Sequence, residues 1–215
     1  MTSPISPSFS PISQKLEAQA LNCARGERTL FSGLNLEVNA GECLHVRGEN
    51  GVGKTSLLRL LSGLSKSEFG TIHWGKQPIS SDIKAYHREL LFLGHRDALK
   101  EELTALENLQ MYAAIDDVQL PLEVTIAALV RFGLRGREYL PVHCLSAGQK
   151  RRVLMARMLI RGARLWILDE PFNALDVHAS AELEGLIEGH LAVGGMVILT
   201  SHQPVDLPGL RELDL

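Results

Sequence analysis

Two rhythms of apolar and polar positions divide this chain. Along KLEAQALNC (15–23), TLFSGLNLEV (29–38) and GTIHWGKQPI (70–79), apolar residues alternate or cluster between turn signals, which predicts short antiparallel strands. CLHVRG (43–48) predicts a compact strand running into a glycine-rich loop and then an apolar-faced helix, Lys54 to Leu64. LLFLG (90–94), LWILD (165–169) and MVILT (196–200) are almost wholly apolar, as suits strands buried on both faces of a parallel sheet. From about Leu99 to Arg164 the period turns helical. Thr104 with Glu107 makes a capping box ahead of a helix from Ala105 to Ala114. Pro121 and Gly133 bracket another, with Leu122, Ile126, Leu129 and Val130 at helical spacing. The expected fold class is α/β: a parallel-sheet core, an antiparallel β subdomain and a helical insertion at about 95–160, without internal repeats.

The opening MTSPISPSFSPI has no charged n-region and no apolar h-region. Residues 1–14 therefore read as a flexible Ser/Pro-rich tail rather than a secretion signal, leaving 15–215 as a single domain. The most apolar stretches, Ser56 to Leu64 and Gly195 to Thr200, fall well short of the roughly 20 apolar residues a spanning helix needs. Any work at a membrane would need a docking partner. A formal net charge of -3 argues against a broad nucleic-acid footprint. Three scattered cysteines, Cys23, Cys43 and Cys144, form no C-x-x-C pair and suit a reduced cytoplasmic compartment.

GENGVGKT (48–55) matches G-x-x-x-x-G-K-[ST] between a predicted strand and a predicted helix, the context that motif requires. Gly48, Glu49, Asn50, Gly51, Val52, Gly53, Lys54, Thr55 and Ser56 are the candidate nucleotide-binding residues. Glycines remove the Cβ atoms that would block close approach, so backbone N–H groups from Gly51 to Thr55 can wrap phosphates at a helix N-terminus. The Lys54 ammonium would reach the β and γ phosphates, and the Thr55 hydroxyl would ligate magnesium.

LWILDE (165–170) is an apolar strand ending in two acids. Buried carboxylates are costly unless paired or metal-bound, so Asp169 is a candidate magnesium ligand. Glu170 is a candidate to accept a proton from attacking water; the plainer alternative is that it merely leaves the sheet before Pro171.

LSAGQ, Leu145–Ser146–Ala147–Gly148–Gln149, reads locally as a capping box opening a helix from Ala147 to Ile160. A glycine in a helix's first turn lowers helix stability, and close approach of a phosphate supplies a reason for it. The order GENGVGKT, LSAGQ, LWILDE, NALD (173–176), then a strand running toward His202, resembles the ATPase domain of ABC transporters from Leu16 onward. That resemblance implies ATP and Mg2+ as ligands and a head-to-tail dimer. Across it, Leu145 to Gln149 of one copy face the ATP held by the other, with Ser146 and Gly148 completing the site. It further implies that Asp176 helps join the halves and that His202 contacts the γ phosphate and the attacking water. On the same grounds Lys54, Glu170 and His202 form the catalytic set. His202 alone would read as a surface histidine.

Two positions depart from the family pattern. Where the family has a glutamine near magnesium that couples to the membrane partner, LLFLGH places His95, whose imidazole can donate or accept a hydrogen bond and brings pH sensitivity. Where the family stacks adenine on an aromatic ring, NCARGERTLF offers Arg25, either as a stacking guanidinium plane or as a solvated charge.

CARGERTLFSGL (23–34), LFLGH with ELTALENL, LSAGQKRRVLMARM, LWILDEPFNALD and ILTSHQP resemble one branch, the ATP-binding subunits of haem exporters in bacterial cytochrome c maturation. The branch implies a peripheral dimer bound to integral membrane transporter subunits at the cytoplasmic face of the bacterial inner membrane, with about 95–139 as docking face. Direct haem contact is not expected, because the histidines and cysteines form no haem-attachment motif. An ABC ATPase powering another small-molecule exporter is the alternative. A nucleic-acid-associated ABC ATPase is a further one, since residues 150–164 carry six basic side chains, although Val153, Leu154, Met158 and Leu159 interleave at core spacing. A kinase-like reading leaves LSAGQ and NALD unexplained.

Overall fold

The computed structural model describes residues 14–95 and 98–215; most of the predicted tail (1–13) and Arg96–Asp97 lie outside them. The described chain falls into two units: residues 14–95, 163–171 and 187–215 in one, 98–162 and 172–186 in the other.

In the first unit, β1 (Lys15–Arg25) and β2 (Arg28–Asn39) pair as a long antiparallel hairpin. Buried Leu16 and Ala18 follow the two-residue period of a strand, but the next buried side chain is Leu21. A register shift between Ala18 and Leu21, with Ala20 at φ 50, changes the parity and returns Leu21 to the core. Strands β4 (Thr71–Trp74) and β5 (Gln77–Pro78) complete a sheet in the order β2-β1-β4-β5.

The second sheet is wholly parallel. It runs β6 (Leu90–Leu93), β7 (Leu165–Leu168), β8 (Met196–Thr200), β3 (Cys43–Arg47), β9 (Leu210–Asp214). Every residue of β7 and β8 is buried, as their almost wholly apolar runs predict. Helix α1 (Lys54–Leu61) buries Leu57, Leu58, Leu60 and Leu61 in a core shared with Leu16 and Val38 of one sheet and Ile167 and Ile198 of the other. Removing one such side chain, as in Leu58→Ala, would cost about 2–5 kcal/mol.

The α1 helix stops three residues short of the predicted Leu64. Gly63 takes φ 71, and the Gly63 and Leu64 N–H groups donate back to the Leu60 and Arg59 carbonyls at 2.9 and 3.0 Å. This paired capping closes the helix before Leu64 can join it. Two elements were not announced by periodicity. Helix α2 (Ile83–Arg88) is six residues long and depends on the Asp82 carboxylate accepting from Ala85 N–H at 3.0 Å. Strand β9 is largely exposed and charged, and only its pairing with β3 makes it a strand.

The other unit is helical: α3 (Ala105–Ile115), α4 (Leu122–Arg131), a 3-10 turn over Val142–Cys144, and α5 (Ala147–Ile160). Both predicted capping boxes are present, Thr104 with Glu107 and Ser146 with Gln149. Leu109, Leu129, Leu134 and Met158 are among its largest fully buried side chains. Asn108 is fully buried too. Its amide donates to the Lys100, Leu103 and Thr104 carbonyls and accepts from Lys100 N–H, which satisfies it and fixes the turn ahead of α3. Helix α6 (Val177–Ala192) carries the chain from this unit into the first. Its buried Ala179, Leu183, Ile187 and Leu191 lie at four-residue spacing, one face of the helix. Among the described residues no helix is long and apolar enough to cross a membrane.

Candidate functional site

The carboxyl ends of β6, β7, β8 and β3 are neighbours in one sheet, so the loops leaving them gather at one edge, where open α/β sheets bind ligands. The loop after β3 is the predicted phosphate cradle. Gly53 caps α1 at φ 123, a backbone conformation that favours glycine, and a Cβ there would crowd Leu30 Cβ at 3.1 Å. No side chain caps the first turn of α1, which leaves its N–H groups directed at the cleft. Lys54 Nζ donates to the Gly48 carbonyl at 2.7 Å and the Glu49 carbonyl at 3.2 Å, arching over the loop it belongs to.

Across the cleft stand the acids. Asp169 and Glu170 follow β7 and are both buried. Asp169 Oδ2 accepts from the Thr55 hydroxyl and Oδ1 from the Thr200 hydroxyl, each at 2.8 Å. Glu170 sits at φ 54, a left-handed conformation unfavourable for a residue with a Cβ. Its N–H donates to Thr200 Oγ1 at 2.9 Å. The Glu170 carboxylate meets His202 twice: Oε2 accepts from His202 N–H at 3.3 Å, and Oε1 lies 3.4 Å from Nε2. His202 is half exposed, so its ring borders both the acid and solvent.

A cleft of about 450 Å³ gathers these groups. Asn50, Gly51, Gly53, Lys54, Thr55, Ser56, His95, Asp169, Glu170 and His202 all line it, joined by Arg25, Arg28 and Leu30 from the β1–β2 hairpin. Arg28 and Thr200 escaped the sequence reading. The first sits among ordinary hairpin charges, and the second ends an apolar run with nothing local to mark its hydroxyl as engaged. Leu145 to Gln149 and Asp176 belong to the helical unit. There Ser146 Oγ accepts from Gln149 N–H at 3.2 Å, Gln149 Oε1 accepts from Ser146 N–H at 3.0 Å, and Asp176 Oδ1 caps α6 at Ala179 N–H, 2.8 Å away. That last bond, ahead of the nearby Arg152 charge, holds the Asp176 carboxyl below its usual range.

The basic run at 150–164 is not a free cationic face. Lys150 pairs with Glu101 at 2.8 Å, Arg152 with Asp176 at 3.4 Å, Arg161 with Asp116 at 3.0 Å and Arg164 with Glu89 at 3.3 Å. Arg157 lies 3.6 Å over the Tyr112 ring, and Arg151 is buried. Four of the remaining histidines, His45, His87, His143 and His190, place a ring nitrogen against a backbone carbonyl. His45 Nε2 lies 3.3 Å from the Ser201 carbonyl, and His190 stacks on Trp166 at 3.8 Å.

A strand-to-helix phosphate cradle facing acids that end β7, two strands away in the same parallel sheet, is the equipment of a phosphate-loop nucleoside triphosphatase. Within that class, residues 31–173 match the family model described as ABC transporter. The chain belongs to the ABC transporter family and is an ATP-hydrolysing member of it. It is 50% identical over 202 residues to the cytochrome c biogenesis ATP-binding export protein CcmA of Dechloromonas aromatica, spanning 93% of this chain and 99% of the relative. The protein of the same name in Escherichia coli K12 is 50% identical over 192 residues, 89% of this chain and 91% of the relative. Among solved structures, an ABC transporter ATP-binding protein from Pyrococcus furiosus shares the fold at TM-score 0.79 and 22% identity, covering 94% of this chain and 97% of that one. The cbiO1 subunit of an ABC transporter complex from Clostridium perfringens matches at TM-score 0.72 and 27% identity, over 89% and 80% of the two chains.

Proposed function

We propose that this chain is the ATP-hydrolysing subunit of a haem export complex for cytochrome c biogenesis, coupling hydrolysis to integral membrane partners at the cytoplasmic face of the bacterial inner membrane. The observation that carries the chemistry is the Glu170 carboxylate, held in the cleft of the phosphate loop with His202 at 3.4 Å. The assignment of cargo rests on the 50% identity to the cytochrome c biogenesis export proteins over nearly the full length of both chains.

Backbone N–H groups of the 48–56 loop and Lys54 bind the β and γ phosphates. Glu170 takes a proton from the attacking water as its oxygen bonds the γ phosphorus and the bond from that phosphorus to the ADP oxygen breaks. His202 orients that water and the γ oxygens. The donor set at Thr55 and Asp169 suits magnesium, which takes one or two protein oxygens and fills its octahedron with water and phosphate. When bound there, magnesium neutralises charge developing on the β and γ oxygens. Ser146 and Gly148, within Leu145–Gln149 of a second copy, close the site, which makes the active form a head-to-tail dimer. Asp176 couples the halves, and His95 stands in for the glutamine that acts near magnesium and couples to the membrane partner.

The test compares wild type with Glu170→Gln, measuring Mg-ATP hydrolysis and oligomeric mass together. The expected result is lost turnover with an accumulating ATP-bound dimer; undiminished hydrolysis sinks the assignment of Glu170. For the cargo, a strain lacking its own export ATPase should regain covalent haem in its c-type cytochromes with wild type and not with Glu170→Gln. Failure of the wild-type gene there, with hydrolysis intact, points to another small-molecule exporter.

A further inference from the structure

We propose that Thr200 is the positioning residue that sets both acids of the site, a role resting on the reading of Asp169 and Glu170 given above. Thr200 ends β8 and is fully buried in a strand that is otherwise aliphatic. A hydroxyl there is unfavourable unless hydrogen-bonded on site. It is bonded twice: it donates to Asp169 Oδ1 at 2.8 Å and accepts from Glu170 N–H at 2.9 Å.

The hydroxyl has one proton, and the Glu170 N–H occupies an acceptor position, so the proton is directed at Asp169. Asp169 is thereby clamped by one hydroxyl on each oxygen, Thr200 on Oδ1 and Thr55 on Oδ2. The two clamps differ in freedom. Thr55 is exposed in the cleft and can exchange its partner for a cation, whereas Thr200 is enclosed and cannot. Thr200 thus holds the carboxylate's orientation while its other oxygen is used.

The same hydroxyl anchors the backbone at Glu170, where φ of 54 needs an external restraint. That conformation turns the Glu170 side chain to His202, only two residues beyond Thr200 in the chain. One buried oxygen therefore ties the metal-site acid, the proton acceptor and the segment bearing His202.

The experiment uses the full chain with Thr200→Val, which keeps the shape and removes the hydroxyl, and Thr200→Ser, which keeps the hydroxyl. Per folded molecule, Thr200→Val should lower kcat by roughly 10- to 100-fold, the scale of a misplaced catalytic group. It should also raise the Mg2+ needed for half-maximal turnover. Affinity for a fluorescent ATP analogue in EDTA should stay within about 3-fold, because the phosphate cradle is untouched, and Thr200→Ser should return kcat to within about 3-fold of wild type. A readout independent of turnover is Mn2+ affinity in the presence of ATP, followed by electron paramagnetic resonance, which should weaken in Thr200→Val alone. Wild-type kcat and metal affinity in Thr200→Val, or equal impairment in Thr200→Ser, would overturn the proposal. If Thr200→Val does not fold, Thr200→Ala carries the same expectation. A wild-type chain without turnover refutes the hydrolytic reading instead, and Mn2+ affinity still decides the role of Thr200.

Discussion

In the nucleotide cleft, Thr55 reaches Asp169 across 114 residues of chain and Thr200 reaches it across 31. At the start of α5, Ser146 and Gln149 satisfy each other within a single helical turn. The first arrangement exists only when the parallel sheet is assembled. The second is self-contained, and Ser146 and Ala147 remain exposed. Packing does not explain Gly148 either: a Cβ there would stand 3.4 Å from the Ala174 carbonyl, an ordinary contact. A helix end that is capped by itself, exposed, and carries an unneeded glycine is suited to meet another molecule, whereas the cleft is suited to hold its own groups still.

The largest expected effect falls on the cleft. Lys54→Ala should lower kcat/KM about 1000-fold, the upper range for losing one donor to developing phosphate charge, with the melting of the helical unit unchanged. A modest loss would mean that the backbone cradle alone binds the phosphates.

Acid should separate the two units next. His190, in the unit that holds the cleft, is pushed down to about 4, chiefly by burial. Unfolded, it takes a proton below about 6.5, so between there and pH 4 the unfolded chain binds more protons and stability falls as pH falls. The loss approaches about 3 kcal/mol at the bottom of that window and is absent above pH 6.5. In the helical unit, Glu101 and Glu107 are held below their usual range, by Lys150 and by the Thr104 N–H respectively. Their contribution is present above the ordinary carboxylate value and lost only as pH falls below it. Amide protection factors, corrected for intrinsic exchange, should therefore fall first in the sheets at pH 5, and His190→Phe, which keeps a ring on Trp166, should remove that slope.

Gly148→Asp sharpens the contrast most directly. A carboxylate in the first turn of α5 favours the helix by a few tenths of a kcal/mol, yet turnover should fall about 100-fold through repulsion of the phosphates that the proposed dimer brings to it. Nucleotide affinity of the monomer should be unchanged; full turnover would show that the exposed helix end meets no nucleotide. Smallest is the cap itself, where Ser146→Ala should lower stability by about 1 kcal/mol in a denaturant titration.

Legibility in the sequence followed the range of the interactions. Capping at Thr104–Glu107 and Ser146–Gln149 is decided within four residues, and both boxes were predicted and found. The buried strands β7 and β8 were equally plain, because a doubly covered strand is apolar at nearly every position. Helix α2 was hidden by its shortness, and β9 by a composition that solvent tolerates in any conformation. Within the site, the phosphate loop and the acid pair announced themselves by residue type and order. Thr200 did not, since a threonine closing a β run is ordinary until its neighbours are known.

What the sequence determined by itself was therefore the local chemistry: a glycine loop before a helix, two acids ending an apolar strand, and helix ends that cap themselves. Those depend on backbone conformation and on neighbours a few residues away. Only the tertiary structure decided which hydroxyl meets which oxygen of Asp169, and that Glu170 turns toward His202. Hydrogen bonds act over about 3 Å, and it is the pairing of β7 beside β8 and β8 beside β3 that brings residues so distant in the chain within that reach.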